Sequence, residues 1–107
     1  MNDTNARDEF VEHIKAVRLK IKAVLIFKED NCNDDATTYA FLKIGYRQED
    51  FNGFLNRMDF EYDSGYGGQE LYGTIWYEDG TWSSRGEYDG SEWWEHNSVP
   101  IIPEELK

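Results

Sequence analysis

One cysteine, two prolines and no run of about 18 apolar residues stand in the 107-residue chain, and each shortage closes a class of protein. A lone Cys32 can form neither an intrachain disulfide nor a cysteine-based zinc cage. Asp30, Asp34 and Asp35 around it disfavour a thiolate, which argues against a catalytic cysteine. Without a long apolar run there is no candidate membrane-spanning helix, and the opening MNDTNARDEF lacks the basic and apolar parts of a signal peptide, so a cytoplasmic location is expected. Bases are scarce where they would matter most. Residues 1–50 hold 10 acids and 8 bases (net -2), whereas residues 51–107 hold 12 acids and 3 bases (net -9). An acidic half of that kind repels nucleic acid and anionic membranes and attracts basic protein surfaces.

Aromatic residues are plentiful. At 16% of the chain they supply large apolar area per side chain, enough for one α+β domain over 1–107 to close a core with few aliphatics. Phe10, Val11, Ile14 and Val17 fall at helical spacing, with Thr4 or Asn5 available as a cap and Asp8 and Glu9 in the first turn. LKIKAVLIFKED then alternates, with Leu19, Ile21, Ala23, Leu25 and Phe27 on one face of a predicted strand, although the helical phase could continue through Ile21 and Val24. The polar stretch DNCNDDAT and a second strand in TTYAFLKIGY complete a hairpin. Phe51, Phe54, Leu55 and Met58 mark a second helix, and the glycine-rich DFEYDSGYGGQ opens on a possible short strand at Phe60 and Tyr62. Three strands follow as an antiparallel meander joined at Asp79-Gly80 and Asp89-Gly90, and residues 97–107, with Pro100 and Pro103, form an extended tail. One sheet face is expected to pack on the helices.

Residues 73–96 concentrate six aromatic rings and six carboxylates around a single arginine. If both Asp-Gly pairs are two-residue turns, the register is fixed and the faces follow. Tyr77 and Trp82, Ile75 and Ser84, Gly73 and Gly86, and Leu71 and Tyr88 then face the helices, with Trp93 inward beside Gly86. The outer face carries three rows: Trp76, Ser83, His96; Thr74, Arg85, Trp94; and Tyr72, Glu87, Glu92. This places Trp76 and Trp94 on an aromatic platform, Arg85 against Trp94, and Glu87 opposite Glu92 as like charges. The predicted partner-binding set is Tyr72, Trp76, Glu78, Glu87, Asp89, Glu92, Trp94 and Glu95. A slip of one residue would exchange the faces and move the anchors to Trp93 and Trp82.

Catalytic and metal chemistry find little purchase. Glu61, Asp63, Glu87, Asp89, Glu92 and Glu95 could supply a carboxylate pair, yet no nucleophile, base or phosphate loop accompanies them, and no enzyme is expected. His13 and His96 are too far apart in sequence for a metal motif. DNCNDD lacks the sixth-position glycine and distant glutamate of a calcium loop, GYGG lacks the lysine of a phosphate loop, and no cofactor is implied.

The run DGTWSSRGEYDGSEWWEHNSVPIIPEEL, with FEYDSGYGGQELYGTIW upstream, resembles small acidic proteins of unassigned function from tailed phages, prophages and related mobile elements. The resemblance spans residues 51–106 and carries no catalytic motif. It implies a protein that acts on host machinery such as restriction enzymes, CRISPR effectors, nucleases or polymerases. The leading expectation is therefore a monomeric or homodimeric binding protein that blocks a basic, nucleic-acid-handling surface of a host protein, through DNA mimicry or otherwise. The alternative is a non-mimetic interaction module, an immunity or assembly factor, anchored by its aromatic platform. Direct nucleic-acid binding and membrane association are not expected.

Overall fold

The computed structural model describes residues 3–28, 37–63, 70–88 and 91–107. The DNCNDD segment with Cys32, the GYGG run and the Asp89-Gly90 pair lie outside the described residues. The elements are β1 (Asp3–Asn5), α1 (Ala6–Val17), β2 (Ile21–Lys28), β3 (Thr37–Leu42), α2 (Gln48–Arg57), β4 (Glu61–Asp63), β5 (Leu71–Tyr77), β6 (Trp82–Tyr88), β7 (Ser91–Asn97) and a short 3-10 helix (Glu104–Leu106), so the tail expected to be extended over 97–107 starts inside β7 and ends in a helical turn. The expected helix, hairpin, helix and meander match this order only in part, since an unexpected strand β1 precedes α1 and β4 stands between α2 and β5. The hairpin and meander merge into one antiparallel sheet in the order β3-β2-β5-β6-β7, and β1 and β4 form a second, two-stranded sheet.

Local chemistry accounts for the helix ends. Asn5 caps α1, its side chain accepting from Asp8 N at 3.0 Å, and Asp8 and Glu9 sit at the positive end of the dipole. Arg18, at φ 61°, ends the helix in a left-handed turn whose N–H bonds Ile14 O. At the start of α2 the Asp50 carboxylate accepts from Arg47 N at 2.9 Å.

Both helices lie on one face of the large sheet. Phe10 of α1 meets Phe54 of α2 and Trp94 of β7 edge to face, at 5.1 and 6.1 Å between centroids. Val24, Ile26, Ala40, Leu42, Leu71, Ile75 and Tyr77 complete this core from the strands. Strand β2 carries a bulge between Ile21 and Ala23, which changes its phase. Ile21 therefore faces inward as expected, but Val24 and Ile26 join it, and Ala23, Leu25 and Phe27 are only half-buried. The predicted alternation over residues 19–27 is thus corrected at one inserted residue.

A second correction comes from the β5–β6 turn. Tyr77 N bonds Thr81 O at 3.0 Å, Gly80 N bonds Tyr77 O at 3.2 Å, and Gly80 has φ 89°. Glu78, Asp79 and Gly80 therefore make a three-residue loop with glycine in the left-handed position. The Asp79 carboxylate accepts from Thr81 N and Oγ1 at 2.9 and 2.6 Å, which fixes the loop and holds that carboxyl below its usual range. Trp76 now opposes Trp82, Ile75 opposes Ser83 and Thr74 opposes Ser84, one residue from the two-residue-turn register. Between β6 and β7 the predicted register is present: Ser83 pairs with His96, Arg85 with Trp94, Gly86 with Trp93 and Glu87 with Glu92. Strand β5 keeps its predicted faces, and β6 and β7 exchange theirs.

Candidate interaction surface

The exchange sorts the predicted binding residues into two groups. Tyr72 and Trp76 stand on the outer face, as expected, and Trp76 is 42% exposed. Glu78, Glu87 and Glu95 are exposed. Trp94 and Glu92 are the corrections: they are 7% and 6% exposed and point to the helix side. Asp89 lies outside the described residues.

The Glu87–Glu92 opposition exists on the helix side of the sheet, and Glu92, its buried member, is neutralised from within. The Arg85 side chain, 1% exposed, donates from Nη2 to Glu92 Oε1 at 3.3 Å and from Nη1 to Glu9 Oε1 at 2.9 Å. Nη2 also donates to the Tyr62 hydroxyl at 2.6 Å, which in turn donates to Glu9 Oε1 at 2.6 Å. The β1–β4 pairing, with Thr4 opposite Tyr62, supports Tyr62 in this network. Glu92 further accepts from Glu70 N at 2.8 Å and Leu71 N at 3.1 Å. Burial pushes its carboxyl up, an effect that these amides and Arg85 offset in part. Burial and the hydrogen bond to Glu9 likewise push the Tyr62 hydroxyl up. Arg85 does stack on Trp94, its Cζ 5.1 Å from the ring centroid, but inside the molecule.

A second polar chain runs beside the first. Tyr77 OH and Ser83 Oγ share a hydrogen bond of 2.7 Å, and Ser83 Oγ and His13 Nε2 another of 2.7 Å. Ser83 is fully buried, and the clefts between β3 and α2, between α1 and α2, and beside the β5–β6 turn are lined by other residues. The serine–histidine contact links helix to sheet in the manner of a buried hydrogen-bond network. Burial, with the charges of His96 and Arg85, holds the His13 imidazole below its ordinary range. Among the described residues no three His, Cys, Asp or Glu side chains group to hold a metal ion.

The outer face of the sheet presents different material. Trp76 lies beside Trp82 across β5–β6 and beside Ala23 across β2–β5. Leu25 lies between Thr74 and Phe41. The Trp93 indole covers Gly86, where an added Cβ would stand 2.5 Å from Trp93 Nε1, and that nitrogen donates to Glu95 Oε2 at 3.2 Å. Trp93 is 38% exposed; Phe41 and Tyr88 are more so. No described helix packs here, and no described helix is long and apolar enough to cross a membrane.

Trp82, Trp93, Tyr88 and Phe41 are the members of this surface that the predicted register left out. The signal for the tryptophans lay in EDGT, where a threonine after Asp-Gly can bond back to the aspartate and so favours the longer loop. Comparison of the chain with protein-family models, with curated proteins and with solved structures gives no match in any of the three.

Proposed function

We propose that this protein is an acidic binding module that docks through the aromatic outer face of its sheet onto a partner protein with a basic surface. The observation that carries the reading is the one-sided placement of the helices, which leaves Trp76, Trp82, Trp93 and Tyr88 on a face that no described helix covers. Rings gathered on one uncovered face, with Trp76, Trp93 and Tyr88 exposed, mark interaction sites, and tryptophan and tyrosine supply much of the energy at such interfaces. The net charge of -11 selects a basic partner and speeds its approach. The resemblance to small phage proteins makes a host nucleic-acid-handling protein the partner class, with inhibition by occupancy of its basic surface as the consequence.

Of the two modes of occupancy, aromatic anchoring is favoured over mimicry of a phosphate array. Glu87 and Glu92 turn to the helix side, where Glu92 spends its charge on Arg85, so the outer face has fewer spaced carboxylates than the sequence suggested. The exposed acids Glu78, Glu87 and Glu95 then serve as a steering rim. Capture from a bacterial host extract at low and high salt tests the reading. A specific basic protein should be retained in both, with a moderate loss at high salt. Retention only at low salt, or of nucleic acid itself, would contradict it.

A further inference from the structure

The arm that follows β7 suggests a second interface, independent of the aromatic face. Residues 98–107 are all exposed, including Val99, Ile101 and Ile102, with Ile101 at 90%. The sequence Val-Pro-Ile-Ile-Pro places Pro100 and Pro103 three apart, and Pro103 has φ -60° and ψ 149°. Those angles are of polyproline II type, a low-entropy conformation that docks into aromatic-lined grooves.

Such a groove exists on the opposite edge of the sheet. Between β3 and α2 lies a cleft of about 720 Å³, lined by Tyr39, Tyr46 and Phe54, within the size range of ligand-holding pockets. Gly53 of α2 opens its floor, since an added Cβ there meets nothing within 4 Å. At the mouth stand Lys43 and Arg57. The groove's two acids are engaged by Arg47: Asp50 accepts from its backbone N–H at 2.9 Å and Glu49 pairs with its guanidinium at 3.8 Å. With Lys43 and Arg57 set against Glu49 and Asp50, the groove is formally neutral, unlike the rest of the molecule, and can receive an arm that carries Glu104 and Glu105.

No arm residue lines the groove of its own chain. We propose that residues 99–103 of one copy occupy the β3–α2 groove of a second copy, and that reciprocal exchange gives a two-fold dimer. The isoleucines meet the aromatic lining, and Glu104 and Glu105 approach Lys43 and Arg57. Because each body carries -11, added salt should strengthen this association by screening repulsion between the bodies.

Two full-length variants test the exchange. Gly53→Leu fills the groove while raising helix propensity, and the double change Ile101→Ser and Ile102→Ser strips apolar contact from the arm. Both sites are exposed, so neither change should lower the melting temperature of the monomer, and Gly53→Leu should raise it slightly. Sedimentation should show twice the monomer mass for the parent and a dimer weakened at least about tenfold in either variant. Mixing the two should restore one arm-in-groove contact and recover a heterodimer. A parent that stays monomeric up to about 1 mM, a dimer that survives both changes, or a mixture that recovers no heterodimer would each overturn the proposal.

Discussion

Removing the Trp94 indole would empty the space between Phe10, His13 and the Arg85 guanidinium. Trp94→Ala should cost about 3 to 5 kcal/mol, as large aromatic truncations in cores do. Trp93→Ala removes a ring that lies over Gly86 on the open side and should cost the fold much less. Urea melts of the two variants check the order. Arg85→Met leaves Glu92 and Glu9 without their cation and should destabilise by about 3 to 5 kcal/mol, because an unpaired buried carboxylate remains. His13 supplies a pH signature. With its folded pKa below the ordinary 6.5, the native protein binds fewer protons than the unfolded chain just under that value. Its share of stability is present above pH 6.5 and is lost as pH falls through the window down to the lowered value. The raised pKa of Glu92 acts with the opposite sign, favouring the fold in acid, so the comparison that isolates His13 is parent against His13→Gln. The parent should lose more stability than the variant between neutral and mildly acidic pH; equal losses would mean that His13 titrates as it does in the unfolded chain.

The elements and their order were legible because helix periodicity, strand alternation and Asp-Gly turns are local signals. Faces are a longer-range property. One bulge at Ile21/Ala23 and one extra loop residue at Glu78–Gly80 re-aimed parts of three strands of the large sheet that were correctly located, whereas β1, read as the entry to the first helix, was missed. The loop wins over the shorter turn by satisfying Asp79 with Thr81 and by turning Trp94, Ser83 and Arg85 toward α1. The ion network could not be read from the sequence, since Glu9, Tyr62, Arg85 and Glu92 meet only after four separate elements pack. The platform was half legible: Trp76 and Tyr72 belong to β5, whose phase was right, whereas Trp93 required the longer loop. Gly80→Ala tests that loop. A β-carbon at φ 89° should cost about 1 to 2 kcal/mol in a urea melt, whereas an unchanged midpoint would show that no glycine is required there.

For the whole molecule, shape and charge divide the work of recognition. Helices and ion network on one side hold the sheet, and the other side offers rings framed by exposed carboxylates. Long-range charge should set how fast a basic partner arrives and the rings how long it stays. The most direct measurement is the association and dissociation kinetics of the captured partner with the parent, Trp93→Ala and Glu87→Lys at about 0.15 M salt. Trp93→Ala should speed dissociation and weaken affinity by about 2 kcal/mol or more, and Glu87→Lys should slow association while leaving dissociation near the parent value. An unchanged Trp93→Ala complex, together with loss of binding on reversal of Glu87, would contradict the account and make the acidic array the true contact.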